Sequence, residues 1–473
     1  MSDDQQRCDL GMVGLGVMGR NLVLNMAEHG YTIAGFDKDS SKTEALRRDA
    51  QNLNIRGACN IPDFIALLRK PRTIMILVPA GAPVDAVITE IMPHLEKGDL
   101  IIDAGNSYFK DTSLRAGMLA TEGIDFLGVG ISGGEEGARH GPSIMPGGPR
   151  GAYERVRPIF EAAAAKVDGE PCVTWLGPGS TGHFVKMVHN GIEYAMMQLI
   201  AETYDLMKRR MGMNDEAMHG VYASWNAGHL ASYLLEITSR IFTKQDDITG
   251  LRLIDEILDI AKQKGTGLWT SQSAMELQVP LPTIDIAVSM RDMSVLDEQR
   301  QQATALYQRS LRPISGDHDA IITQLGSALV AALLITYAQG MALLSVASNR
   351  YGSHLDLAAV ARIWRGGCII RSAMLDNICA AFRERPELPN LLLDPSISAT
   401  IMIHDEDLRQ VVSIAAASGT PVPGMMVSLA YLDTYRSSWL PANLIQAQRD
   451  YFGSHTYERN DCKGTFHTPW ESK

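Results

Sequence analysis

The chain has 473 residues, enough for two or three domains that each bury a core of their own. Its formal net charge of −11 argues against a nucleic-acid or anionic-membrane surface, because either surface would require a basic field. The six cysteines are scattered and show no Cys-x-x-Cys spacing, which is typical of buried or incidental thiols in a reducing compartment.

The chain begins with a polar, acidic segment, 1–7, that does not look like a secretory signal, so we expect a cytoplasmic protein. Short apolar runs then alternate with helical patterns such as 20–29 and 41–50. This alternation predicts an open, mostly parallel, doubly wound sheet with helices on both faces. The predicted strands are 10–13, 32–36, 73–78, 100–102 and 126–129.

A glycine-rich motif follows the first predicted strand and consists of Gly14, Leu15, Gly16, Val17, Met18 and Gly19. Its glycines would permit a tight turn and the close approach of a pyrophosphate to a helix N-terminus. We therefore predict dinucleotide binding, with an ordinary glycine-rich turn as the alternative. Asp37 ends the next strand, where it could accept a hydrogen bond from a ribose hydroxyl and would repel a 2′-phosphate. That charge favours NAD, although Lys38 and Lys42 could pair with the phosphate of NADP.

Two further segments predict ligand contacts in the N-terminal sheet. Asn106 lies after the strand that ends near Asp103, and the carboxyl ends of such strands face the ligand crevice. It is therefore placed to touch cofactor or substrate, with a capped turn as the alternative. We interpret 128–134 as a small-residue loop whose backbone N–H groups and Ser132 hydroxyl could approach an anion. A plain loop is the alternative there.

Long helical segments dominate after about Gly182, and the first of them carries a polar stripe. If 182–194 is helical, one face holds five polar side chains at i, i+3, i+4, i+7 and i+8, namely Lys186, His189, Asn190, Glu193 and Tyr194. Lys186 and Glu193 would stand two turns, roughly 10 Å, apart. A stripe of this kind is costly to bury without a ligand, so it is the leading candidate for a catalytic site.

Three other features describe the helical part. The apolar run 328–347 is long enough to cross a membrane, but it contains Thr336, Tyr337 and Gln339, so we expect a buried core helix. Matching Trp-x-x-Gly turns at 225–228 and 364–367 indicate an internal duplication, with chance as the alternative. The residues after Ser438 lose amphipathic periodicity, which predicts an extended tail that lies on its own body or on a partner subunit. We expect three parts, with bounds 1–179, 180–437 and 438–473.

Several long motifs together closely resemble the 6-phosphogluconate dehydrogenase family, decarboxylating enzymes of the β-hydroxyacid dehydrogenase superfamily. The motifs span nearly the whole chain and lie at 14–19, 131–139, 142–148, 183–194, 263–267, 364–371 and 440–453. The resemblance implies oxidation of the β-hydroxyl of a phosphorylated sugar acid, followed by loss of carbon dioxide, in the pentose phosphate pathway. It assigns Lys186 as the base and then as the cation that stabilises the enolate oxygen. Glu193 becomes the acid that protonates the new carbon, and no metal is required.

The resemblance also implies binding roles. Positions that match the family's phosphate site are Tyr194, Lys264, Arg291 and Arg449. Positions that match contacts to the sugar hydroxyls or orient the base are His189, Asn190 and His455, and Ser132, Gly133 and Gly134 match the carboxylate end. The cofactor side is implied for Val78, Pro79, Ala80 and Asn106, in addition to the glycine motif, Asp37 and Lys38. The family's tail completes the partner's pocket, so Arg449 and His455 imply a homodimer.

Departures from the family pattern bear on the cofactor. Members that use NADP usually carry Asn-Arg-Thr where this chain has Asp37, Lys38 and Asp39, and the family commonly has Lys at the position of Pro79. Both changes remove positive charge, so NAD is favoured over NADP. Leu268 replaces a frequent Lys and leaves the catalytic assignments unchanged. Two rivals stay open: a related β-hydroxyacid dehydrogenase or imine reductase with an unphosphorylated substrate, and a non-catalytic nicotinamide-binding scaffold.

Overall fold

A computed structural model describes residues 7–308, 312–314 and 316–470. A sheet flanked by helices comes first, and a helical part begins at Thr181. This order confirms the predicted doubly wound α/β fold followed by a large all-α part. The segment 1–7, for which no secretory signal is predicted, lies outside the described residues except for Arg7.

Seven strands form the main sheet: β1 Leu10–Val13, β2 Ile33–Phe36, β3 Ile55–Gly57, β4 Thr73–Ile76, β5 Leu100–Asp103, β6 Asp125–Ser132 and β7 Ser143–Gly147. Their order is β3-β2-β1-β4-β5-β6-β7, and only the β6–β7 pair is antiparallel. The five predicted strands are confirmed, while β3 and β7 are additional. The interpretation of 128–134 as a loop is wrong for Gly128 to Ser132, because these residues pair with β7 along the antiparallel ladder.

Helices cover both faces of the sheet: α1 Val17–Glu28, α2 Ser40–Ala50, α3 Ile61–Ala66, α4 Ala82–Ile91, α5 Phe109–Thr121, α6 Gly134–His140 and α7 Arg150–Ala163. Side chains alternate along each strand, so Leu10 and Met12 pack with α1 and α7, whereas Val13 packs on the opposite side with α3 and α4. The helices predicted at 20–29 and 41–50 are confirmed as α1 and α2.

A small hairpin of β8 Lys166–Val167 and β9 Glu170–Pro171 leads to the helical part. The helices that follow are α8 Thr181–Arg209, α9 Asp215–Asn226, α10 Tyr233–Ile241, α11 Leu253–Glu256, α12 Thr266–Glu276, α13 Pro282–Val295, α14 Asp297–Leu306, α15 His318–Tyr351, α16 Leu357–Trp364, α17 Met374–Glu384, α18 Pro395–Ser418, α19 Pro423–Tyr435 and α20 Ala442–Gly453. Single 3₁₀ turns lie at Met92–His94 and Leu391–Leu393.

Helix α8 lies directly on strands β6 and β7, and glycines make this close approach possible. A Cβ on Gly182 would lie 2.3 Å from the carbonyl oxygens of Gly128 and Met145. A Cβ on Gly130 would lie 2.3 Å from the Cβ of Lys186. Only residues without a side chain let helix and sheet backbones meet at such distances. The glycines of β6 therefore bring the polar stripe of α8 against the edge of the dinucleotide-binding sheet.

The apolar run 328–347 belongs to α15, which packs against α8, α18 and α19. Within the described ranges, α15 is the one helix long and apolar enough to cross a membrane by length and composition, and 83% of its most apolar window is buried in the protein. The prediction of a buried core helix is confirmed. Gly340 marks its crossing with α8, since a Cβ there would lie 2.5 Å from the end of the Ile192 side chain.

The two halves of the helical part repeat an order of elements that favours the predicted duplication. A long helix, α8 or α15, is followed by a helix that ends at or just after a tryptophan, α9 or α16. The next helices, α10 and α17, begin close together, because Ser232 and Ser372 form an antiparallel β-bridge. The bridge relates equivalent turns of the two halves, and the polar stripe is present in the first half only.

The tail after Ser438 is not extended throughout, which corrects that part of the prediction. It contains α20 and a hairpin of β10 Tyr457–Glu458 with β11 Thr465–Phe466. Asp450 organises it by accepting hydrogen bonds from the backbone N–H groups of Thr456 and Thr468 and from the indole of Trp470. Burial opposes ionisation of Asp450, but these bonds and His467 hold its pKa at about 2. The tail is thus an ordered unit of its own.

Candidate active site

The glycine motif forms a tight turn between β1 and α1. Gly14 has a φ of +101°, and a Cβ there would lie 2.4 Å from the carbonyl oxygen of Leu77. A Cβ on Gly19 would lie 2.0 Å from the Gly14 carbonyl oxygen. At Gly16 a Cβ would meet nothing within 4 Å, and no side chain caps the start of α1. The backbone N–H groups of this helix terminus are therefore free for an anion such as a pyrophosphate.

The other residues of the motif surround this opening. Leu15 is buried, Met18 is half-buried and Val17 is exposed. Asp37, at the end of β2, accepts hydrogen bonds from the backbone N–H groups of Leu15 (2.8 Å) and Asp39 (2.9 Å). Its carboxylate thus ties the glycine turn to the neighbouring strand, a role that sequence reasoning missed.

Positive charge also lies near Asp37. The Lys42 ammonium is 3.4 Å from its carboxylate, whereas Lys38 is exposed and pairs with Glu90 at 3.1 Å. The negative charge of Asp37 is therefore partly balanced within the protein.

The loops after β4 and β5 lie beside the glycine turn, because β1, β4 and β5 are adjacent parallel strands. The first loop holds Val78 and Ala80, both half-buried, and the exposed Pro79. The second holds Asn106, whose side chain is exposed. The loops touch, since a Cβ on Gly105 would lie 3.1 Å from the Val78 carbonyl oxygen. All predicted cofactor positions thus share one edge of the sheet, where ligands of doubly wound folds bind.

The turn after β6 closes the other end of this crevice. Gly133 and Gly134 have φ values of +125° and +63°, which favour glycine. A Cβ on Gly133 would lie 2.6 Å from the carbonyl oxygen of Gly367, in the turn after α16. The Trp-x-x-Gly turn of the second helical half therefore presses against the predicted substrate loop. The chain separation of these two segments hides their contact from sequence reasoning.

The polar stripe of α8 is buried at this junction, as its periodicity predicted. Lys186 is 5% exposed, and burial lowers the pKa of its ammonium. Burial raises the pKa of Glu193, whereas Lys186 and Arg291 lower it by a smaller amount. Burial therefore shifts the two pKa values in opposite directions, that of Lys186 toward the neutral amine and that of Glu193 toward the protonated acid.

His189 is held between three elements by hydrogen bonds. The Ser132 hydroxyl accepts a hydrogen bond from the Ile369 backbone N–H (3.3 Å) and lies 3.2 Å from Nε2 of His189. Its own proton is then directed to Nε2, which leaves the His189 proton on Nδ1, 3.1 Å from the Asn190 side-chain oxygen. Burial lowers the pKa of His189 well below its ordinary value, and Lys186 adds to that effect. His189 is therefore a neutral, oriented ring.

Two of the predicted phosphate-binding residues meet at the far end of the stripe. The guanidinium of Arg291 stacks on the ring of Tyr194, 3.5 Å from its centroid, and donates to the Lys262 carbonyl oxygen. Stacking of this kind orients the guanidinium while leaving N–H donors for an anion. The third predicted residue, Lys264, is exposed and lies two residues after Lys262, before the start of α12.

The remaining two predicted residues, Arg449 and His455, lie on the tail and are exposed. Arg449 donates a hydrogen bond to Gln446, also in the tail. The structure therefore groups the residues of α8, the sheet and α13, while these two belong to a separate unit of the same chain. Among the described residues, no group of three or more His, Cys, Asp and Glu side chains could hold a metal ion.

Comparisons with known proteins agree with this architecture. Residues 9–177 match the model for the NAD binding domain of 6-phosphogluconate dehydrogenase, and residues 182–470 match the model for its C-terminal domain. The decarboxylating, NADP(+)-dependent 6-phosphogluconate dehydrogenase of Bacillus subtilis is 50% identical over 462 residues, which cover 98% of each chain. The decarboxylating enzyme of Synechococcus elongatus is 51% identical over 464 residues, covering 97% of this chain and 98% of that protein.

A solved structure shows the same fold. The 6-phosphogluconate dehydrogenase of Plasmodium falciparum, described as apo and in complex with NADP+ and with 6-phosphogluconate, superimposes with a TM-score of 0.94 at 43% identity. The match covers 98% of this chain and all of that one (100%). Fold and comparisons together define an oxidoreductase with a nicotinamide dinucleotide-binding domain. More narrowly, the chain belongs to the 6-phosphogluconate dehydrogenase family.

Proposed function

We propose that the protein catalyses the oxidative decarboxylation of 6-phosphogluconate to ribulose 5-phosphate and carbon dioxide, with reduction of NAD or NADP. The observation that carries the proposal is the pair of Lys186 and Glu193 on one buried face of α8, with pKa values shifted in opposite directions. Opposite shifts of neighbouring groups are the mark of an acid/base pair. The stripe lies against β6, on the same sheet that carries the dinucleotide-binding turn.

In the first step, neutral Lys186 removes the proton from the β-hydroxyl of the substrate as that carbon loses a hydride. A bound nicotinamide supplies the acceptor for this hydride. The product is a β-keto acid, and the Lys186 ammonium now lies beside its ketone oxygen. Burial keeps this charge in a medium of low dielectric constant, where it stabilises a developing oxyanion strongly.

In the second step, the β-keto acid loses carbon dioxide and leaves an enediolate, whose oxygen the Lys186 ammonium stabilises. Glu193 then donates its proton to the carbon that carried the carboxylate. Burial raises the pKa of Glu193, which favours the protonated form that this step requires. Ser132 and Asn190 hold the neutral ring of His189 in a fixed orientation beside the proposed base.

The substrate would lie along the stripe with its phosphate toward Tyr194 and Arg291. The stacked guanidinium, the exposed Lys264 and, from a tail, Arg449 supply the positive charge that a phosphate requires. The carboxylate end would meet Ser132, Gly133, Gly134 and Asn106, and the hydroxyls would meet His189, Asn190 and His455.

We propose a homodimer in which the tail of one subunit completes the pocket of the other. Support comes from the tail itself, which is an ordered unit with exposed apolar side chains at Leu444 (61%), Ile445 (59%) and Phe452 (73%). Such a surface requires a cover. We propose that each subunit has three parts, 1–179, 180–437 and 438–473. We also propose that the enzyme is cytoplasmic.

For the cofactor we propose a preference for NAD, because Asp37 would repel a 2′-phosphate and Pro79 adds no positive charge. Lys42 weakens this repulsion through its contact with Asp37. Initial rates with 6-phosphogluconate and each cofactor test the choice, and a large advantage of NADP would contradict it.

The proposed activity is tested by measuring reduced cofactor and carbon dioxide together when the purified protein receives 6-phosphogluconate. Equal amounts of both products are expected, and Lys186→Ala should lose both. A dehydrogenase of another β-hydroxyacid would prefer an unphosphorylated substrate, and a scaffold would have no activity to lose. Either result would reject the proposal.

A further inference from the structure

Helix α5 carries a buried arginine that reaches both loops at the cofactor end of the sheet. Arg115 is 4% exposed. Its guanidinium donates hydrogen bonds to the Gly81 carbonyl oxygen (3.1 Å) and to the Asp85 carboxylate (2.6 Å), both beyond β4. It also donates to the Asp103 carboxylate and the Ser107 hydroxyl, both at 3.3 Å, at the end of β5. One side chain thus joins the loop 77–81 to the loop 104–108.

Asp103 extends this link into the second loop. Its side chain is fully buried (0% exposed) and accepts hydrogen bonds from the Gly105 backbone N–H (3.1 Å) and the Ser107 hydroxyl (2.6 Å). These two donors flank Asn106 in the chain. The carboxylate and the guanidinium therefore fix the backbone on both sides of Asn106 while leaving its side chain exposed.

Helix α5 also contacts α8, the helix that carries Lys186 and Glu193. Thr112 lies one turn before Arg115 on α5, and its hydroxyl is 2.6 Å from Nδ1 of His183 on α8. His183 is buried and lies one turn before Lys186. Successive turns of α5 therefore hold the two loops and α8 in one frame.

We propose that Arg115 is a positioning residue that sets the two loops to receive the nicotinamide end of the cofactor opposite Lys186. This inference rests on the proposed function only for the identity of the substrate. The geometry requires a planar fork, because four acceptors face one guanidinium from different directions. Gly81 and Ser107 lie on the two loops, and Asp85 and Asp103 lie in the adjoining α4 and β5. A lysine ammonium is a single point charge and can satisfy only part of this set.

The test compares Arg115→Lys with Arg157→Lys, a matched change at an exposed arginine of α7 that pairs with Glu154 and Glu161. Fluorescence titration with NADH and with NADPH measures cofactor binding without substrate. We expect Arg115→Lys to raise the Kd of the better cofactor about tenfold, since small displacements of positioning groups have large effects. The KM for cofactor should rise in parallel, the KM for 6-phosphogluconate should stay within about twofold, and Arg157→Lys should change neither.

Asp85→Asn provides a milder variant if Arg115→Lys does not fold, because the Asp85 side chain is 58% exposed and Arg115 keeps its other partners. It should raise the cofactor Kd about threefold, a smaller shift than the lysine variant. An unchanged cofactor Kd in the folded variants would overturn the proposal, as would equal effects on both KM values. If the wild type binds cofactor but does not oxidise 6-phosphogluconate, the proposed function fails while the binding titration still decides the role of Arg115.

Discussion

Helices α8 and α15 each begin a similar order of elements in the helical part, yet they bury different kinds of side chain. Both are long, with 29 and 34 residues, and they cross each other at Gly340. The buried side of α15 is aliphatic with few polar groups, whereas α8 buries Lys186 and His189 and largely buries Glu193. Of two long helices that each begin a similar order of elements, one therefore buries an apolar surface and the other buries polar side chains.

This difference separates side chains that stabilise the fold from side chains with a proposed role in catalysis. A buried ionisable group loses its hydration, so apolar side chains of similar size would stabilise the fold at least as well. Burial of the polar residues of α8 thus lowers the stability of the fold. Shifted pKa values in a crevice are typical of functional sites. The comparison makes opposite predictions for substitutions in the two helices.

The largest expected effect is on activity, from the substitution Lys186→Met. Loss of the proposed base and of its oxyanion-stabilising charge should lower kcat by about 10³-fold or more, while the free energy of unfolding stays equal or rises. Steady-state rates and urea unfolding measure the two quantities. Lys208→Met, at the partly exposed end of the same helix, is the control and should leave kcat within about twofold. A strong loss of stability in Lys186→Met would mean that the stripe is structural after all.

The complementary substitution in α15 is Leu343→Ala. Leu343 is fully buried (0% exposed), so the cavity left behind should lower the free energy of unfolding by about 2–5 kcal/mol. At a temperature where the variant is folded, kcat should be close to that of the wild type. Val346→Ala, on an exposed position of the same helix, should cost much less in urea unfolding. A selective loss of kcat in Leu343→Ala would erase the distinction between the two helices.

A smaller effect concerns the pH dependence of stability, through Glu202, another buried ionisable group of α8. Glu202 accepts hydrogen bonds from the Gly424 and Met425 backbone N–H groups at the start of α19, and burial raises its pKa to about 7. Between the unfolded pKa near 4.5 and about 7, the native state holds a proton that the unfolded state releases. Its contribution is therefore fully present below the lower value and is lost as pH rises, by roughly 3 kcal/mol in total.

The substitution Glu202→Gln should remove this pH dependence. The difference in unfolding free energy between wild type and variant, measured by urea titration at several pH values, should change by a few kcal/mol across the window. Glu298→Gln, on the exposed face of α14, is the matched control and should show no such change. A flat difference for Glu202→Gln would show that the native pKa of Glu202 equals its unfolded value.

Sequence periodicity predicted the strands that bind the dinucleotide and the shared face of α8, because both patterns are local. It missed β7, since Ser143–Gly147 contains Pro146, which is unfavourable inside a strand. It also missed α20, because the apolar side chains of this helix are exposed and do not pack into a core of this chain. The contacts of Ser132 with Ile369 and of Gly133 with Gly367 join segments that only the tertiary fold brings together.

Deuterium exchange at the carbon that loses carbon dioxide tests the proposed acid and base roles of Glu193 and Lys186. Ribulose 5-phosphate incubated with enzyme and reduced cofactor in D₂O should acquire deuterium at that carbon, observed by NMR, because in the proposed mechanism Glu193 can reverse its protonation step. Glu193→Gln should abolish the exchange while leaving cofactor binding intact, and Lys186→Met should abolish it as well. Exchange by Glu193→Gln at the rate of the wild type would contradict the assignment of α8 as the acid/base helix.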